Sequence, residues 1–218
     1  MALITGSLLD GVHACFRRYA DTFRDGDGRL PGPLQLKLDH SRRVAEEMAS
    51  LAAEMDWPIQ DRRAAEVLGL LHDTGRFVQY REQGHFADSA ACDHGKLGRR
   101  RVAAEGWLEE WPEETGEAIL EGIRLHHERR MPPELTGRPR DYTALIRDAD
   151  KLDIMGIVAG AVERDGFREL PVMLPGLTLD RAPTAAFLDG LFHGDGADLK
   201  RAASLGDFLM MQVSWVRG

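Results

Sequence analysis

Cysteine is nearly absent: 218 residues contain only Cys15 and Cys92. Two widely separated cysteines cannot build a disulfide framework, and neither lies in a CxxC pattern. Both are expected to remain thiols in a reducing, cytoplasmic setting. Cys92 stands two residues before His94, and a small buried thiol is the simpler reading of it than a soft ligand. No apolar run approaches the roughly 18 residues that a membrane span requires. The opening "MALITGSLLD" lacks a basic stretch and meets Asp10 early, unlike a signal peptide. Positive charge is also short. The formal net charge is −8, which argues against a nucleic-acid polymer as main partner, because phosphate-dominated binding wants a basic face. A small nucleotide needs only a few local cations and stays open, as does a homodimer. Period-2 alternation is missing, so sheets are not expected. No tandem repeat, low-complexity tract or long linker is evident, and a single domain is expected over 1–218.

What is present reads as helix. Leu8, Leu9, Val12, Phe16, Tyr19 and Phe23 recur at helical spacing over 7–24. The Gly- and Pro-rich "RDGDGRLPGP" then forces a loop. "DGDG" lacks the later ligands of a calcium loop. A second helical pattern covers 34–56, with His40 on the face of Val44 and Met48. Asp61 is a candidate N-cap for a helix over 62–72 that Gly75 ends. Residues 76–93 look irregular, and Phe77, Tyr80 and Phe86 are expected to cover the site. Helices follow near 93–107, 113–127 and 141–164, then two more near 183–192 and 197–216. Leu205, Phe208, Leu209, Val213 and Trp215 are expected to pack back onto the bundle.

The chemistry centres on Leu70-Leu71-His72-Asp73-Thr74-Gly75-Arg76. Adjacent side chains on a helix diverge by about 100°, so an ion shared by His72 and Asp73 must sit beside the helix and take further ligands from elsewhere. His40 upstream and Asp150 downstream, in "IRDADKLD", supply them. Two imidazoles and two carboxylates suit a divalent transition metal. A buried His40 or a helix carrying Asp148, Asp150, Lys151 and Asp153 would otherwise be costly.

The ordered set, with the wording "LLHDTGRF", "DHGKLG", "IRLHHE" and "IRDADKLD", resembles the HD-domain metal-dependent phosphohydrolase superfamily over roughly 34–165, with the signature H…HD…D. The resemblance implies an all-α helical bundle, here with an added N-terminal helix and a C-terminal helical extension over 166–218. It implies metal ligation by His40, His72, Asp73 and Asp150; the family's "AD(K/R)L" wording selects Asp150, with Asp148 as the fallback. His94, His126 and His127 become candidates for a second metal or for substrate. "HHE" is similar to the HD-GYP branch, but "TGRP" replaces its Gly-Tyr-Pro turn, so a cyclic dinucleotide substrate does not follow.

The ion would be Mn, Fe, Co, Ni or Mg, in one or two copies. It would lower the pKa of bound water and polarise a phosphate oxygen. Arg76, Arg124 and Lys151 are candidates for substrate binding and for offsetting transition-state charge. Arg76 could equally serve a carboxylate partner. The resulting expectation is a phosphohydrolase, with Asp73, Arg76 and Lys151 as its catalytic residues. Its substrate would be a small phosphorylated molecule, a nucleotide for preference. Two alternatives are an HD-fold di-iron oxygenase and a catalytically silent metal-binding regulatory module.

Overall fold

The structure, a computed structural model, describes residues 3–164, 166–168, 170–193 and 199–215. Helices account for the regular structure, and among the described residues the only extended pairing is an isolated bridge between Thr178 and Ser204. The expected all-α class is what the chain adopts. No helix among the described residues is long and apolar enough to cross a membrane.

Two compact units emerge: Met1–Gln83 with Asp88–Asp153, and Gly84–Ala87 with Ile154–Gly218. The first begins with α1 (Gly6–Asp21), whose N-cap Thr5 accepts from Leu8 N–H. The following Gly-rich stretch is a turn around Asp25, whose Oδ1 accepts from the Asp27 and Arg29 N–H groups at 2.9 Å. α2 (Gly32–Glu54) buries Leu34, Leu38, Ser41, Ala45, Met48 and Ala52 along one stripe, and His40 lies within it. α3 (Ile59–Leu71) starts behind Pro58. Asp61 is therefore not the N-cap expected from sequence. It sits in the first turn and accepts from Tyr142 Oη at 2.6 Å and Arg138 at 2.7 Å, tying α3 to the start of α7 (Gly137–Arg164).

α3 stops at Leu71, with His72 as its C-cap, and α4 (Thr74–Gln83) begins almost at once. Gly75 thus lies inside a helix instead of ending one. The expected irregular stretch is helical in its first part; Thr74, Gly75, Phe77, Val78 and Gln79 are all buried, with only Arg76 between them half-buried, so no 3.6 period shows in the sequence. Phe77 does not cover the site. Its ring packs 5.4–5.9 Å from Phe16, Tyr19 and Phe23, fastening α4 to α1 and its following turn. α5 (His94–Ala104) is capped by Asp93, α6 (Glu113–Leu125) follows Pro112, and α7 runs from Gly137 to Arg164, starting earlier than expected.

The second unit takes the end of α7, α8 (Leu170–Met173), α9 (Ala185–His193), a 3-10 turn at Leu199–Arg201 and α10 (Leu205–Trp215). The helix expected over 197–216 is thus shorter; 197, 198 and 216 lie outside the described residues. Leu205 and Phe208 join a core of the unit's own, with Val158, Phe167, Phe187 and Met211. Leu209 and Trp215 pack against that core, whereas Val213 is exposed. Phe86 belongs to this unit and donates its N–H to Met173 O at 2.9 Å.

Asp207 organises the unit. Its carboxylate accepts from Thr184 N–H at 2.6 Å, Thr184 Oγ1 at 3.0 Å and Ala203 N–H at 2.9 Å. Burial alone would raise its pKa, but these donors outweigh burial and hold the carboxyl below the ordinary range. Asp207→Ala should cost about 2 kcal/mol, because it strands buried donors; urea unfolding of the full chain measures it. The stabilisation is complete above the ordinary carboxylate pKa and is lost as pH falls through the lowered one. The variant's deficit should therefore shrink in acid.

Candidate metal centre

Helix ends deliver the histidines. His72 caps α3 and His126 caps α6; each keeps its N–H on the carbonyl four residues back, Leu68 and Gly122. Each also turns Nδ1 onto the carbonyl three residues back, Gly69 O at 2.7 Å and Ile123 O at 2.8 Å. His40 rises from the middle of α2 and His94 from the first turn of α5. Their Nδ1 atoms meet carboxylates, Asp153 Oδ2 at 2.6 Å and Asp88 Oδ2 at 2.8 Å. A carbonyl or an ionised carboxylate can only accept, so all four rings carry a proton on Nδ1, and a ring that is neutral presents an Nε2 lone pair inward.

Those lone pairs converge. His40 Nε2 and His72 Nε2 stand 3.1 Å apart, and His94 Nε2 and His126 Nε2 stand 3.0 Å apart. Asp73 lies between the pairs. Its Oδ2 is 3.6 Å from both His40 and His72 Nε2, and its Oδ1 is 3.7 Å from both His94 and His126 Nε2. Asp150 Oδ1 closes the first pair, 3.0 Å from His40 Nε2 and 3.8 Å from His72 Nε2. Asp148 is exposed, so the choice between the two falls to Asp150.

This packing requires glycine at two places. A Cβ on Gly69 would come 2.8 Å from Ala45 Cα and Val44 O, where α3 crosses α2. A Cβ on Gly75 would collide with His94 O and come 2.7 Å from Gly98 N, where α4 meets α5.

Electrostatics follow from burial. His72 is fully buried and Asp73 is 2% exposed. Burial would raise the Asp73 pKa, but Lys37, His72 and Arg76 outweigh it and hold the carboxyl well below the usual range. Lys37 Nζ is 2.6 Å from Asp73 Oδ2, and Arg76 Nε is 3.5 Å from Oδ1. Asp150 is likewise driven low, its burial overcome by His40 and His72. Burial lowers His72 and His126, and lowers His94 to about 4. His40 goes the other way: burial and Lys37 oppose its protonation, but Asp150 and Asp153 prevail.

The donor set fits a divalent cation. The neutral His94 and His126 present Nε2 lone pairs 3.0 Å apart, which repel unless something positive lies between them. Asp73 Oδ1, moreover, is buried and accepts no hydrogen bond. His40, His72 and Asp150 could hold one ion, and His94, His126 and His127 another, with Asp73 facing both. Nitrogen and carboxylate oxygen together suit first-row transition metals.

The HD-domain family model matches residues 38–155, more than half of the chain. The chain belongs to the HD-domain family. It is thereby a member of the metal-dependent phosphohydrolase superfamily. Searches of curated proteins and of solved structures returned no significant match.

Most candidates read from sequence assemble in the HD domain, but not all. His40, His72, Asp73, Asp150, His94 and His126 share the cluster, and the His127 ring lies tilted beside His94, with centroids 4.2 Å apart. Arg76 is committed to acids and amides: Gln79 Oε1 at 2.8 Å and Asp88 Oδ1 at 3.4 Å, besides Asp73. Arg124 turns instead to Glu121, joining Arg99 on another face, because an arginine on a half-exposed helix follows its nearest carboxylate. Lys151, half-buried beside Asp150, forms no ion pair with the cluster's carboxylates among the described residues. Two participants escaped the sequence reading. Lys37 lies one helical turn before His40, a spacing that could have revealed it. Asp88 comes from an irregular loop and gives no local sign.

Gly75→Ala should destabilise the first unit by about 3 kcal/mol, since the methyl meets backbone that cannot step aside. Thermal unfolding checks it, and it should also loosen the His94 position.

Proposed function

We propose that this HD domain is a metal-dependent phosphohydrolase that cleaves a phosphate ester of a small molecule, with a nucleotide as the favoured substrate class. One observation carries the reading: two pairs of inward-facing Nε2 atoms flank the buried, underbonded Asp73 carboxylate. His40, His72, Asp73 and Asp150 would hold the ion, with His94, His126 and His127 available for a second. When bound, such an ion lowers the pKa of water and polarises a phosphate oxygen.

The remaining work belongs to this chain. Asp153 and Asp88 fix the rotation and tautomer of His40 and His94, and the Gly69 and Ile123 carbonyls do the same for His72 and His126. Lys37 and Arg76 bring positive charge to the side of Asp73 and would offset charge developing on a phosphoryl group. The net charge of −8 favours a small substrate over a polymer. The paired histidines also favour a di-iron oxygenase as the second reading.

His72→Ala and Asp73→Ala should each lose metal retention and hydrolysis together, measured by elemental analysis and a phosphate-release screen over nucleotides and sugar phosphates. Stoichiometric metal kept by both variants would refute the assignment. Two irons with dioxygen uptake and no phosphate release would favour the oxygenase. Arg76→Ala should raise KM for a phosphate substrate about tenfold while metal content stays unchanged.

A further inference from the structure

The two histidine pairs share more than a cluster. His40 to His72 and His94 to His126 are both separations of 32 positions. Setting residues 39–76 against 93–130, with a shift of 54 and no gap, gives nine identities in 38 positions. They are Asp39 with Asp93, His40 with His94, Ala49 with Ala103, Trp57 with Trp111, Pro58 with Pro112, Ala64 with Ala118, Leu71 with Leu125, His72 with His126 and Arg76 with Arg130. The expectation of no repeat is overturned at this spacing.

The fold repeats too. α3 and α6 each have 13 residues, each follows a Trp-Pro whose proline is the N-cap, and each ends on a C-cap histidine bonded to the carbonyl three back. The contact between paired helices recurs with its small residue exchanged. In the first copy Gly69 of α3 meets Val44 of α2. In the second, Ile123 of α6 meets Gly98 of α5, its Cγ2 3.1 Å from where a Gly98 Cβ would stand. Leu68 lies over Gly122, and these two occupy the same place in the two copies. Equivalent positions meeting each other are what a local twofold relation produces.

The copies differ at one decisive place. Asp73 of the first corresponds to His127 of the second. With Asp150 added, the first half-site offers two imidazoles and two carboxylates. The second offers three imidazoles and the far oxygen of Asp73, while Asp93 Oδ1, from the residue that caps α5, stands 3.5 Å from His127 Nε2. His127 Nδ1 is buried without a hydrogen bond, and its ring lies beside His94. Oxygen-rich sites suit Mn, and imidazole-rich sites favour Zn and Ni more strongly.

We infer that residues 39–76 and 93–130 are two copies of one cation-binding helix pair, and that His127, standing where the first copy has Asp73, makes the second half-site the more selective for nitrogen-preferring ions. This rests on the metal-binding reading above.

The test is calorimetric titration of the full chain with Mn2+ and, separately, with Zn2+. His94→Ala leaves the first half-site, and His40→Ala leaves the second. The ratio of Zn2+ to Mn2+ affinity should be about tenfold greater in His40→Ala than in His94→Ala. His127→Asp in the otherwise intact chain should bring the two binding steps to similar ratios, and circular dichroism confirms that each variant is folded. Equal ratios in the two half-site variants, or an unchanged ratio in His127→Asp, would overturn the inference while leaving metal binding intact. A native chain that binds neither ion would instead overturn the metal reading itself.

Discussion

A single buried carboxylate holds the first unit's chemistry together. Asp73 is removed from water, yet Lys37, His72 and Arg76 outweigh the cost of burial and keep it charged. Such a charge is costly unless each oxygen finds a positive or donating neighbour. Oδ2 has Lys37; Oδ1 has the Arg76 guanidinium only at 3.5 Å, without a hydrogen bond, and two imidazole nitrogens that offer lone pairs and no proton. The arrangement is unfavourable for the bare protein and favourable around a cation. Stability has been given up locally for a preorganised site.

The helices explain how that site is kept. Two of its four inward histidines terminate helices, where a C-cap carbonyl pattern fixes both backbone and ring. The other two are backed by carboxylates. Close helix crossings at Gly69 and Gly75 bring α2, α3, α4 and α5 within reach of one centre. Long side chains on looser spacing could not hold the four Nε2 atoms as narrowly. The near-equivalence of the two helix pairs suggests why the cluster has two facing halves: one local solution, a Trp-Pro entry and a histidine exit, is used twice.

Much of this was legible in the sequence because the decisive residues are chemically unusual where they stand. An imidazole on an apolar stripe, as at His40, or a His-Asp pair ending an apolar run, demands a partner. The helical class followed from the apolar spacing of α1, α2 and α6. Other features were not legible. Arg124 and Lys151 carry the right charge, but a helix surface does not say which carboxylate a long side chain will choose. Gly75 resembled a helix terminator, whereas its role is steric and depends on α5, far away in sequence. Phe77 resembled a site cover and instead serves the aromatic contact with α1. The repeat was hidden because exchanging large and small residues between the copies, as at Val44 with Gly98 and Gly69 with Ile123, preserves packing while erasing identity.

The most direct measurement is anomalous X-ray diffraction from crystals of the full chain grown with Mn2+. The account predicts an anomalous peak within bonding distance of Nε2 of His40 and His72 and of the Asp73 and Asp150 carboxylates. A well-ordered cluster with no peak there, or an ion bound only at distant surface carboxylates, would contradict it.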